Sequence, residues 1–238
     1  MPNHFEVFKL NSRGEAAALA GETLNNLLIK HSKSPVLLLL SGGSAFDLLD
    51  YVSAKALGEN LAISLLDERF SQDPAINNFS RLQTLEFYTL AAKQEANFIG
   101  TLPRPDESLA AFAQRLENSW RKWKTQNPGG RIFATFGMGE DGHTAGMFPL
   151  ADKLKFDELY NSANWVAAHA LGAIKPWPER VTATLTFFKL IDEGMAYICG
   201  QNKREKLAEV LTSKPSLSSL PGAGLKLVKN MDVFTDIS

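Results

Sequence analysis

Strand and glycine-rich loop meet in the stretch Arg131-Ile132-Phe133-Ala134-Thr135-Phe136-Gly137-Met138-Gly139-Glu140-Asp141-Gly142-His143-Thr144-Ala145-Gly146-Met147-Phe148-Pro149. Its first six residues form a mostly apolar run that predicts a buried strand, and the glycines after it break regular structure. Loops on a rigid sheet often carry reactive side chains, and this loop holds Asp141 and His143. Imidazole titrates near neutrality, so His143 is a candidate general base.

The same loop matches the spacing of a dinucleotide-binding loop through Gly137, Gly139 and Gly142. Such a site also needs a helix that opens at the third glycine and an acidic residue about twenty positions later. Here Gly146 and Pro149 stop a helix soon after the loop, and two acidic side chains occupy the place of a pyrophosphate. The pattern therefore argues against a nicotinamide site, and no cofactor is expected.

The segments around this loop alternate between strand and helix patterns. An unbroken apolar run at 36–40 predicts a strand buried on both faces, and the segment 61–66, which is apolar apart from Ser64, predicts a second buried strand. Helical spacing predicts helices over 15–30, 45–56, 107–124 and 204–211, and strand-like segments lie at 165–168, 181–184 and 195–199. Alternation of this kind predicts an α/β fold with a mostly parallel sheet covered by helices on both faces. Without a repeat or a composition break, one domain over 1–238 is expected.

Composition narrows the class of protein. A hydrophobic content of 45%, a charged content of 21% and a formal net charge of −1 are ordinary for a soluble protein. They provide no electrostatic footprint for nucleic acid or for an anionic membrane. The N-terminus lacks the regions of a signal peptide, and no apolar run approaches membrane-spanning length. A cytoplasmic protein without nucleic-acid or membrane partners is expected.

Polar residues follow four of the predicted strands, and ligands of open α/β sheets bind outside such carboxyl ends. Besides the central loop, these segments are Ser41-Gly42-Gly43-Ser44, Asp67-Glu68-Arg69 and Gly200-Gln201-Asn202-Lys203. The Ser41–Ser44 turn suits a phosphate because its backbone N–H groups precede a predicted helix, although glycines also make ordinary turns. Taken alone, Asp67-Glu68-Arg69 is more typical of a solvated strand end, and Lys203 resembles a surface lysine.

Other candidate groups carry weaker signals. His4 and His31 receive no role, whereas His169 precedes Lys175-Pro176-Trp177-Pro178-Glu179-Arg180 and could face the same crevice, a structural role being favoured. No helix carries two histidines four residues apart, and no nucleophile elbow is present. The single cysteine, Cys199, excludes an internal disulfide and a cysteine zinc cluster, and it reads as a buried apolar side chain. No metal site is expected.

Five segments resemble, in their order along the chain, the motifs of 6-phosphogluconolactonases: Ser41–Ser44, Asp67–Arg69, the central glycine-rich loop, Lys175–Arg180 and Gly200–Lys203. The superfamily of these enzymes includes the glucosamine-6-phosphate isomerase/deaminases. The resemblance runs from about Leu37 to Leu211, and its most specific part is the loop with Asp141, His143 and the later Phe-Pro pair. It implies a single modified Rossmann-like α/β domain that acts on sugar phosphates.

Two positions favour the lactonases over the deaminases. The deaminases look to have a glutamate five residues after the histidine, where this chain has Phe148, and an aromatic residue where it has Arg69. One pair departs from the lactonase pattern: Ala45-Phe46 follows the Ser41–Ser44 turn, where lactonases usually have Thr-Pro. The loss of the threonine hydroxyl is expected to change the phosphate contacts and the substrate preference more than the type of reaction.

The resemblance implies hydrolysis of 6-phospho-D-glucono-1,5-lactone to 6-phosphogluconate without a metal or cofactor. His143 would take the proton of the attacking water, and Asp141 would orient the imidazole or a water. Arg69 and Arg180 would bind the phosphate or stabilise the oxyanion, and which arginine has which role stays open. Ser41, Gly42, Gly43, Ser44, Asp67 and Lys203 would contact the substrate and hold its phosphate.

Two alternatives stay open at this point. One is an enzyme like the glucosamine-6-phosphate deaminases, and the other is a non-catalytic sugar-phosphate sensor. Sensors normally carry a DNA-binding module, for which this sequence shows no spare segment or basic patch. The sequence does not reveal the oligomeric state, and a monomer or a small homo-oligomer is expected.

Overall fold

The structure is a computed structural model that describes residues 4–171 and 177–237. Two stretches that support the sequence-based expectations lie outside the described residues: Lys175-Pro176, which precede Trp177, and Met1-Pro2-Asn3 at the N-terminus. The strands are β1 (His4–Lys9), β2 (Val36–Leu40), β3 (Leu61–Leu65), β4 (Asp67–Arg69), β5 (Asn97–Phe98), β6 (Arg131–Phe136), β7 (Val166–Ala170), β8 (Glu179–Ala183), β9 (Glu193–Tyr197) and β10 (Asn230–Thr235). The α-helices are α1 (Arg13–Lys30), α2 (Asn78–Gln83), α3 (Glu86–Lys93), α4 (Leu109–Gln126), α5 (Lys153–Tyr160), α6 (Leu185–Phe188) and α7 (Arg204–Thr212).

A parallel sheet of seven strands forms the centre of the fold, in the order β1-β10-β9-β6-β2-β3-β5. Every residue of β2 and β3 is buried. Strands that are covered on both faces read as continuous apolar runs because each alternate side chain meets a covering layer. The mostly parallel sheet predicted from the sequence is confirmed.

Helices cover both faces of this sheet, as the sequence predicts. On one face Leu38 of β2 belongs to the same hydrophobic cluster as Leu24 of α1. On the other face Leu37 clusters with Trp120 and Trp123 of α4, so both tryptophans belong to the core. Successive side chains of a strand point to opposite faces, and a single strand can therefore anchor both layers.

The two long helices begin at serine caps. The Ser12 hydroxyl accepts a hydrogen bond from Glu15 N at 3.1 Å, and the Ser108 hydroxyl accepts one from Ala111 N at 3.2 Å. Such caps each stabilise a helix by about 1 kcal/mol because they satisfy a free backbone donor. None of the helices in the described ranges combines the length and the hydrophobicity that a membrane crossing requires.

The α-helix predicted over 45–56 is wrong in its type. This part of the chain forms two 3₁₀ helices, Gly43–Tyr51 and Ala54–Ala56, with Val52 and Ser53 extended between them at ψ 114° and 158°. The first of them begins at Gly43 with a φ of +71° and has no capping side chain before it. Glycine adopts this left-handed conformation without a steric penalty, whereas the choice between a 3₁₀ helix and an α-helix depends on packing that hydrophobic periodicity does not show.

A second sheet of three antiparallel strands, in the order β4-β8-β7, was not predicted. The sequence predicts strand-like segments at 165–168 and 181–184 and a strand end at 67–69, but it does not pair them. Leu66 N donates to Leu40 O at 2.9 Å and Ala183 N donates to Leu66 O at 2.7 Å, so the chain passes directly from one sheet to the other. Pairing of strands far apart in the chain depends on tertiary contacts, which local periodicity does not contain.

The strands β1 and β10 were not predicted from the sequence either. β1 forms an edge of the parallel sheet and none of its residues is fully buried, so its apolar pattern is weak. β10 lies between β1 and β9 and pairs with both in parallel. The predicted strand at 195–199 is present as β9, which begins and ends two residues earlier, at Glu193 and Tyr197. Cys199 follows it and is buried, as the sequence predicts.

Candidate active site

Four strand ends come together at one edge of the parallel sheet. β9, β6, β2 and β3 are neighbours in that order, and all of them run in the same direction. The central loop follows β6, the Ser41–Ser44 turn follows β2, Asp67 follows β3, and the Gly200–Lys203 segment follows β9. The candidate segments, which are distant in the sequence, therefore share the edge at which ligands of such sheets bind.

The central loop is closed by its own hydrogen bonds. Thr144 Oγ1 donates to Gly137 O at 2.7 Å, and Gly139 N donates to His143 O at 2.9 Å. Gly139 lies so close to the His143 ring that a Cβ atom on it would come within 2.2 Å of ring atoms. A glycine is required there because any side chain would displace the imidazole.

Within this loop Asp141 and His143 form a close pair. The Asp141 Oδ1 atom lies 2.6 Å from His143 Nδ1 and accepts a hydrogen bond from His143 N at 3.0 Å. Burial acts to raise the pKa of Asp141, but the hydrogen bonds from the His143 ring and backbone outweigh it, and the pKa lies below its usual value. When Nδ1 donates to this carboxylate, Nε2 has the free lone pair that a general base needs.

Phe148 packs against the imidazole and connects it to an arginine. The rings of His143 and Phe148 are stacked, with centroids 4.5 Å apart and planes 27° apart. The Arg180 guanidinium carbon lies 5.1 Å from the Phe148 ring centroid. The His143 side chain is nevertheless 37% exposed, so this stack orients the ring without closing it off from a substrate.

Arg180 lies deep in the site, beside Asp67. Their side chains are 9% and 8% exposed, and Arg180 Nη1 is 3.6 Å from Asp67 Oδ2. Burial lowers the pKa of Arg180 while Asp67 opposes this effect. Gly146 of the central loop, at a φ of +73°, packs so tightly on Asp67 that a Cβ atom would lie 2.9 Å from the Asp67 Cβ. The ion pair therefore lies directly beneath the loop that carries His143.

Arg69 is placed differently from Arg180. In the small sheet the two residues are directly opposite each other. Arg69 Nη1 donates to Ile76 O at 2.7 Å, so its guanidinium holds the segment that leads to α2. Among the described residues no hydrogen bond, ion pair or cation–π contact joins Arg69 to the His143 loop, whereas the Arg180 guanidinium lies over Phe148 of this loop.

The Ser41–Ser44 turn has fewer free donors than the sequence suggests. Ser41 is buried, and its N–H already donates to Thr135 Oγ1 at 3.1 Å. The N–H groups of Gly42, Gly43 and Ser44 stand at the start of a 3₁₀ helix, where backbone donors have no partner within the helix. A phosphate would therefore be bound by these three residues rather than by the backbone of Ser41.

Lys203 is half-buried beside the central loop. Burial lowers its pKa and nearby Arg13 acts in the same direction, whereas Glu140 and Asp236 oppose them. The adjacent Asn202 donates a hydrogen bond from its side chain to the Glu140 carboxylate, which ties this segment to the loop. Lys203 is thus a partly desolvated cation in the site, not a freely solvated one.

Asp67-Glu68-Arg69 is not a solvated strand end, because Asp67 and Glu68 are buried. The Glu68 carboxylate accepts hydrogen bonds at 2.7–3.2 Å from Arg69 N, Asn78 N, Phe79 N and Thr101 Oγ1. Burial raises the pKa of Glu68 to about 7 although three of these bonds lower it. Its contacts join β4 to the start of α2, a role for which the sequence carries no signal beyond the motif itself.

The only grouping of potential metal ligands found among the described residues lies away from this site. It consists of His4, Glu6 and Asp232, on β1 and β10, whose ligand atoms lie within 4.8 Å of one another. His4 begins β1, at the amino end of the sheet. In the described residues, Asp141 and His143 have no third ligand at such a distance.

A comparison with protein families covers most of the chain. The sequence model of the family described as glucosamine-6-phosphate isomerases/6-phosphogluconolactonase matches residues 12–233. The chain belongs to this family. All the candidate residues from Ser41 to Lys203 lie inside the matched region.

Curated relatives of this family member are named 6-phosphogluconolactonase. The one from Xylella fastidiosa (strain 9a5c) is 28% identical over 220 residues, which make up 86% of this chain and 87% of the relative. The one from Nostoc sp. is 28% identical over 190 residues, or 76% of this chain and 72% of the relative.

Solved structures of the family share the fold. The 6-phosphogluconolactonase from Shewanella baltica superposes with a TM-score of 0.76 at 20% identity, over 98% of this chain and 97% of the other. That from Trypanosoma brucei has a TM-score of 0.75 at 16% identity, over 98% and 96% of the two chains. The α/β architecture expected from the resemblance is confirmed.

His169 is a further buried group of this family member beside the site. Its ring centroid lies 6.5 Å from that of Phe148 and 5.6 Å from that of Tyr160. Both ring nitrogens are buried without a hydrogen-bond partner in the described residues, although the Gly146 backbone lies near the ring. The sequence favours a structural role for His169, and its burial against these aromatic rings is consistent with that role.

We expect acid to destabilise the fold through His169. Burial lowers its pKa to about 4, and Arg180 acts in the same direction, from an ordinary value of 6.5. Between these values the unfolded chain binds more protons, so the free energy of unfolding falls as the pH drops from about 6.5 to about 4. In the His169→Phe variant this decrease in the free energy of unfolding, on the order of 3 kcal/mol over this pH range, should be absent.

Glu68 should act in the opposite direction. Because its pKa is raised from 4.5 to about 7, the folded chain binds the extra proton and the free energy of unfolding falls as the pH rises through this window. Denaturant unfolding at several pH values should give His169→Phe and Glu68→Gln slopes that differ from the wild type in opposite senses. A His169→Phe profile parallel to the wild type would contradict a buried neutral imidazole.

Proposed function

We propose that this protein is a 6-phosphogluconolactonase, which hydrolyses 6-phospho-D-glucono-1,5-lactone to 6-phosphogluconate in the oxidative pentose phosphate pathway. The observation that carries this proposal is the Asp141–His143 pair, with its exposed imidazole. Family membership and the names of the curated relatives support the same reaction. The catalytic unit is a single domain.

The reaction needs a base and a positioned water, because a ring ester is already activated toward attack. His143 Nε2 takes a proton from the water as its oxygen bonds to the lactone carbonyl carbon. The carbonyl π electrons move onto the carbonyl oxygen and return as the bond to the ring oxygen breaks. The imidazolium then gives its proton to that leaving oxygen. Asp141 holds the imidazole through Nδ1 and stabilises its charged form.

The positive charges divide between two parts of the site. Arg180, which contacts the Phe148–His143 stack, faces the substrate and binds its anionic groups or the developing oxyanion. Arg69 supports the segment before α2 through Ile76. The N–H groups of Gly42, Gly43 and Ser44, together with Lys203, bind the phosphate.

Position 148 supports hydrolysis over deamination. Phe148 has no carboxylate that could help to open a sugar ring, and its ring is used to stack on His143. The lactonase therefore agrees better with this side chain than the deaminase does.

The direct test is acid release from freshly prepared 6-phosphogluconolactone, corrected for spontaneous hydrolysis. The wild-type protein should accelerate the release above this background, and unphosphorylated gluconolactone should be a far poorer substrate. Release of ammonia from glucosamine 6-phosphate, without turnover of the lactone, would replace the proposal with the deaminase reaction. Binding of the phosphorylated lactone without turnover of either substrate would indicate a sensor.

Lys203→Ala should mainly raise the KM for the phosphorylated lactone. A hydrogen bond to a charged group is worth enough that its loss should raise KM about 10- to 100-fold. Because the phosphate is bound similarly in the ground and transition states, kcat should change much less. Steady-state kinetics on both lactones measure this effect.

Lys229→Ala is the matched control for Lys203→Ala. Lys229 is an exposed lysine that precedes β10, at the opposite edge of the sheet, and it pairs with Asp192 at 2.7 Å. Its variant should behave as the wild type. If Lys203→Ala and Lys229→Ala gave the same KM, Lys203 would not be a phosphate ligand.

A further inference from the structure

The Ser41–Ser44 turn continues into a pair without a hydroxyl group. Ala45 and Phe46 are both buried, and they stand where the lactonase pattern has Thr-Pro. The side chains that follow the turn thus offer no polar contact to a phosphate. Any additional contact must come from a neighbouring element of the fold.

That neighbouring element is α2, which packs directly on the turn. A Cβ atom placed on Gly42 would lie 2.4 Å from Asn78 Oδ1, so the Asn78 side chain occupies the space next to the Gly42 backbone. Asn78 is held in place by two hydrogen bonds: its backbone N donates to the Glu68 carboxylate at 2.7 Å, and its Nδ2 donates to Asp67 O at 3.2 Å. α2 is therefore firmly positioned against the turn.

Arg81 lies one helical turn after Asn78, on the same face of α2. Residues three apart in a helix are neighbours on its surface. The Arg81 guanidinium carbon lies 5.6 Å from the centroid of the Phe46 ring, as in a cation–π contact. Phe46, which stands two residues after Ser44 in place of the usual proline, thus supports the guanidinium of Arg81.

The positive charge of Arg81 is not neutralised by an ion pair. In the described residues no carboxylate lies within 4.0 Å of its guanidinium, and the residue is exposed. In strand order the turn after β2 has α2 and the end of β3 on one side, and β6, β9 and Lys203 on the other. The elements that carry the two cations therefore lie on opposite sides of the turn, α2 with Arg81 on the β3 side and the Lys203 segment on the β9 side.

We propose that Arg81 is a phosphate-binding and specificity-determining residue, supported on Phe46 and facing the Gly42–Ser44 turn from the side away from Lys203. This inference rests on the proposed function for the identity of the phosphorylated substrate. A guanidinium can donate two parallel hydrogen bonds to a phosphate and supplies the polar contact that Ala45 and Phe46 lack. Because the site is open to water, its contribution is smaller than that of a buried cation.

The test compares Arg81→Gln with Arg81→Lys. In Arg81→Gln, the Kd values of 6-phosphogluconate and of inorganic phosphate, measured by calorimetry, should rise about 3- to 10-fold. The selectivity for the phosphorylated over the unphosphorylated lactone, as a ratio of kcat/KM values, should fall by the same factor. Arg81→Lys should recover part of both effects because it retains the charge but not the planar fork.

Two further variants separate binding from structure. Arg104→Gln removes an exposed arginine of the loop between β5 and α4, and it should leave phosphate affinity and selectivity unchanged. Phe46→Leu removes the supporting ring, and it should shift phosphate affinity in the same direction as Arg81→Gln. Thermal midpoints of all variants identify any that are unfolded.

The outcomes distinguish this inference from the proposed function. A folded Arg81→Gln variant with wild-type phosphate affinity, or with equal losses on both lactones, overturns the role of Arg81. If the wild type hydrolyses the phosphorylated lactone in that case, the proposed function stands. If phosphate affinity depends on Arg81 but neither lactone is hydrolysed, the function fails and the phosphate site stands.

Discussion

His143→Asn should lower kcat for 6-phosphogluconolactone by about 10²–10⁴-fold, the usual contribution of a positioned general base. Asparagine retains a polar side chain of similar reach but cannot take a proton at neutral pH. The affinity for 6-phosphogluconate should change little, because the proposed phosphate contacts come from Gly42–Ser44 and Lys203. The expected change therefore lies in kcat and not in product binding.

The competing explanation for His143 is a purely structural one. The ring stacks on Phe148 at 4.5 Å and accounts for the close approach of Gly139. If this packing were its whole role, His143→Asn would lower the thermal midpoint and weaken product binding along with the rate. Measurement of kcat, product Kd and thermal midpoint on one preparation separates the two. A folded variant with near-normal kcat would remove His143 from the mechanism.

His4→Asn is the matched control for this substitution. His4 is a histidine at the amino end of β1, with its side chain 57% exposed, and lies outside the proposed site. The same chemical change at His4 should leave kcat and product affinity at their wild-type values. Comparable losses in the two variants would indicate that His143→Asn acts through general destabilisation.

Arg180→Met should reduce both activity and stability. Loss of one preorganised donor to a developing or fixed anion costs about 10²–10³-fold in rate, and we expect a fall of this size in kcat/KM. The same change leaves Asp67 buried and without this partner, which should cost roughly 3–5 kcal/mol of unfolding free energy. Steady-state kinetics and denaturant unfolding measure the two losses separately.

A double variant shows whether these two losses are independent. Asp67→Asn combined with Arg180→Met removes both charges of the buried pair, so it should recover part of the stability. It should not recover activity, since the positive charge of Arg180 is still absent. Activity that returned together with stability would show that Arg180 acts only through the fold.

The kinetic constants also decide the role of Arg180. A fall in kcat with little change in KM would indicate stabilisation of the oxyanion, and a rise in KM with little change in kcat would indicate binding of the substrate's phosphate. Arg131→Met provides the comparison, because Arg131 is half exposed and pairs with Glu193 at 3.7 Å, at the amino end of β6. Its kinetic constants should match those of the wild type.

Part of this site could be predicted from the sequence alone. The run 36–40 is continuously apolar and 61–66 is apolar apart from Ser64, so both predict buried strands, and the observed strands β2 and β3 are buried throughout. The short Asp141-Gly142-His143 segment puts both side chains on one turn, and their contact at 2.6 Å needs no distant residue. Interactions between near neighbours in the chain are visible in the sequence because local geometry determines them.

Other parts of the site depend on strands that meet only in the fold. Arg180 and Asp67 come from strands far apart in the chain, and they meet because β8 pairs with β4 in one antiparallel register. The burial of Glu68 and the position of Arg81 on Phe46 likewise depend on elements that meet only in the fold. Periodicity shows which face of an element is apolar, but it does not show which element covers that face.

The sequence by itself determined the parallel α/β core, the glycine-rich loop with its acid–base pair, and the four polar strand ends. These features depend on hydrophobic periodicity, glycine content and the short range of a turn. Only the tertiary structure decided that Arg180, and not Arg69, lies over Phe148, the ring that stacks on His143, and that the Ser41 N–H is already bonded to Thr135. Strand order and register bring these partners together, and the contacts between them form only when the whole core is packed.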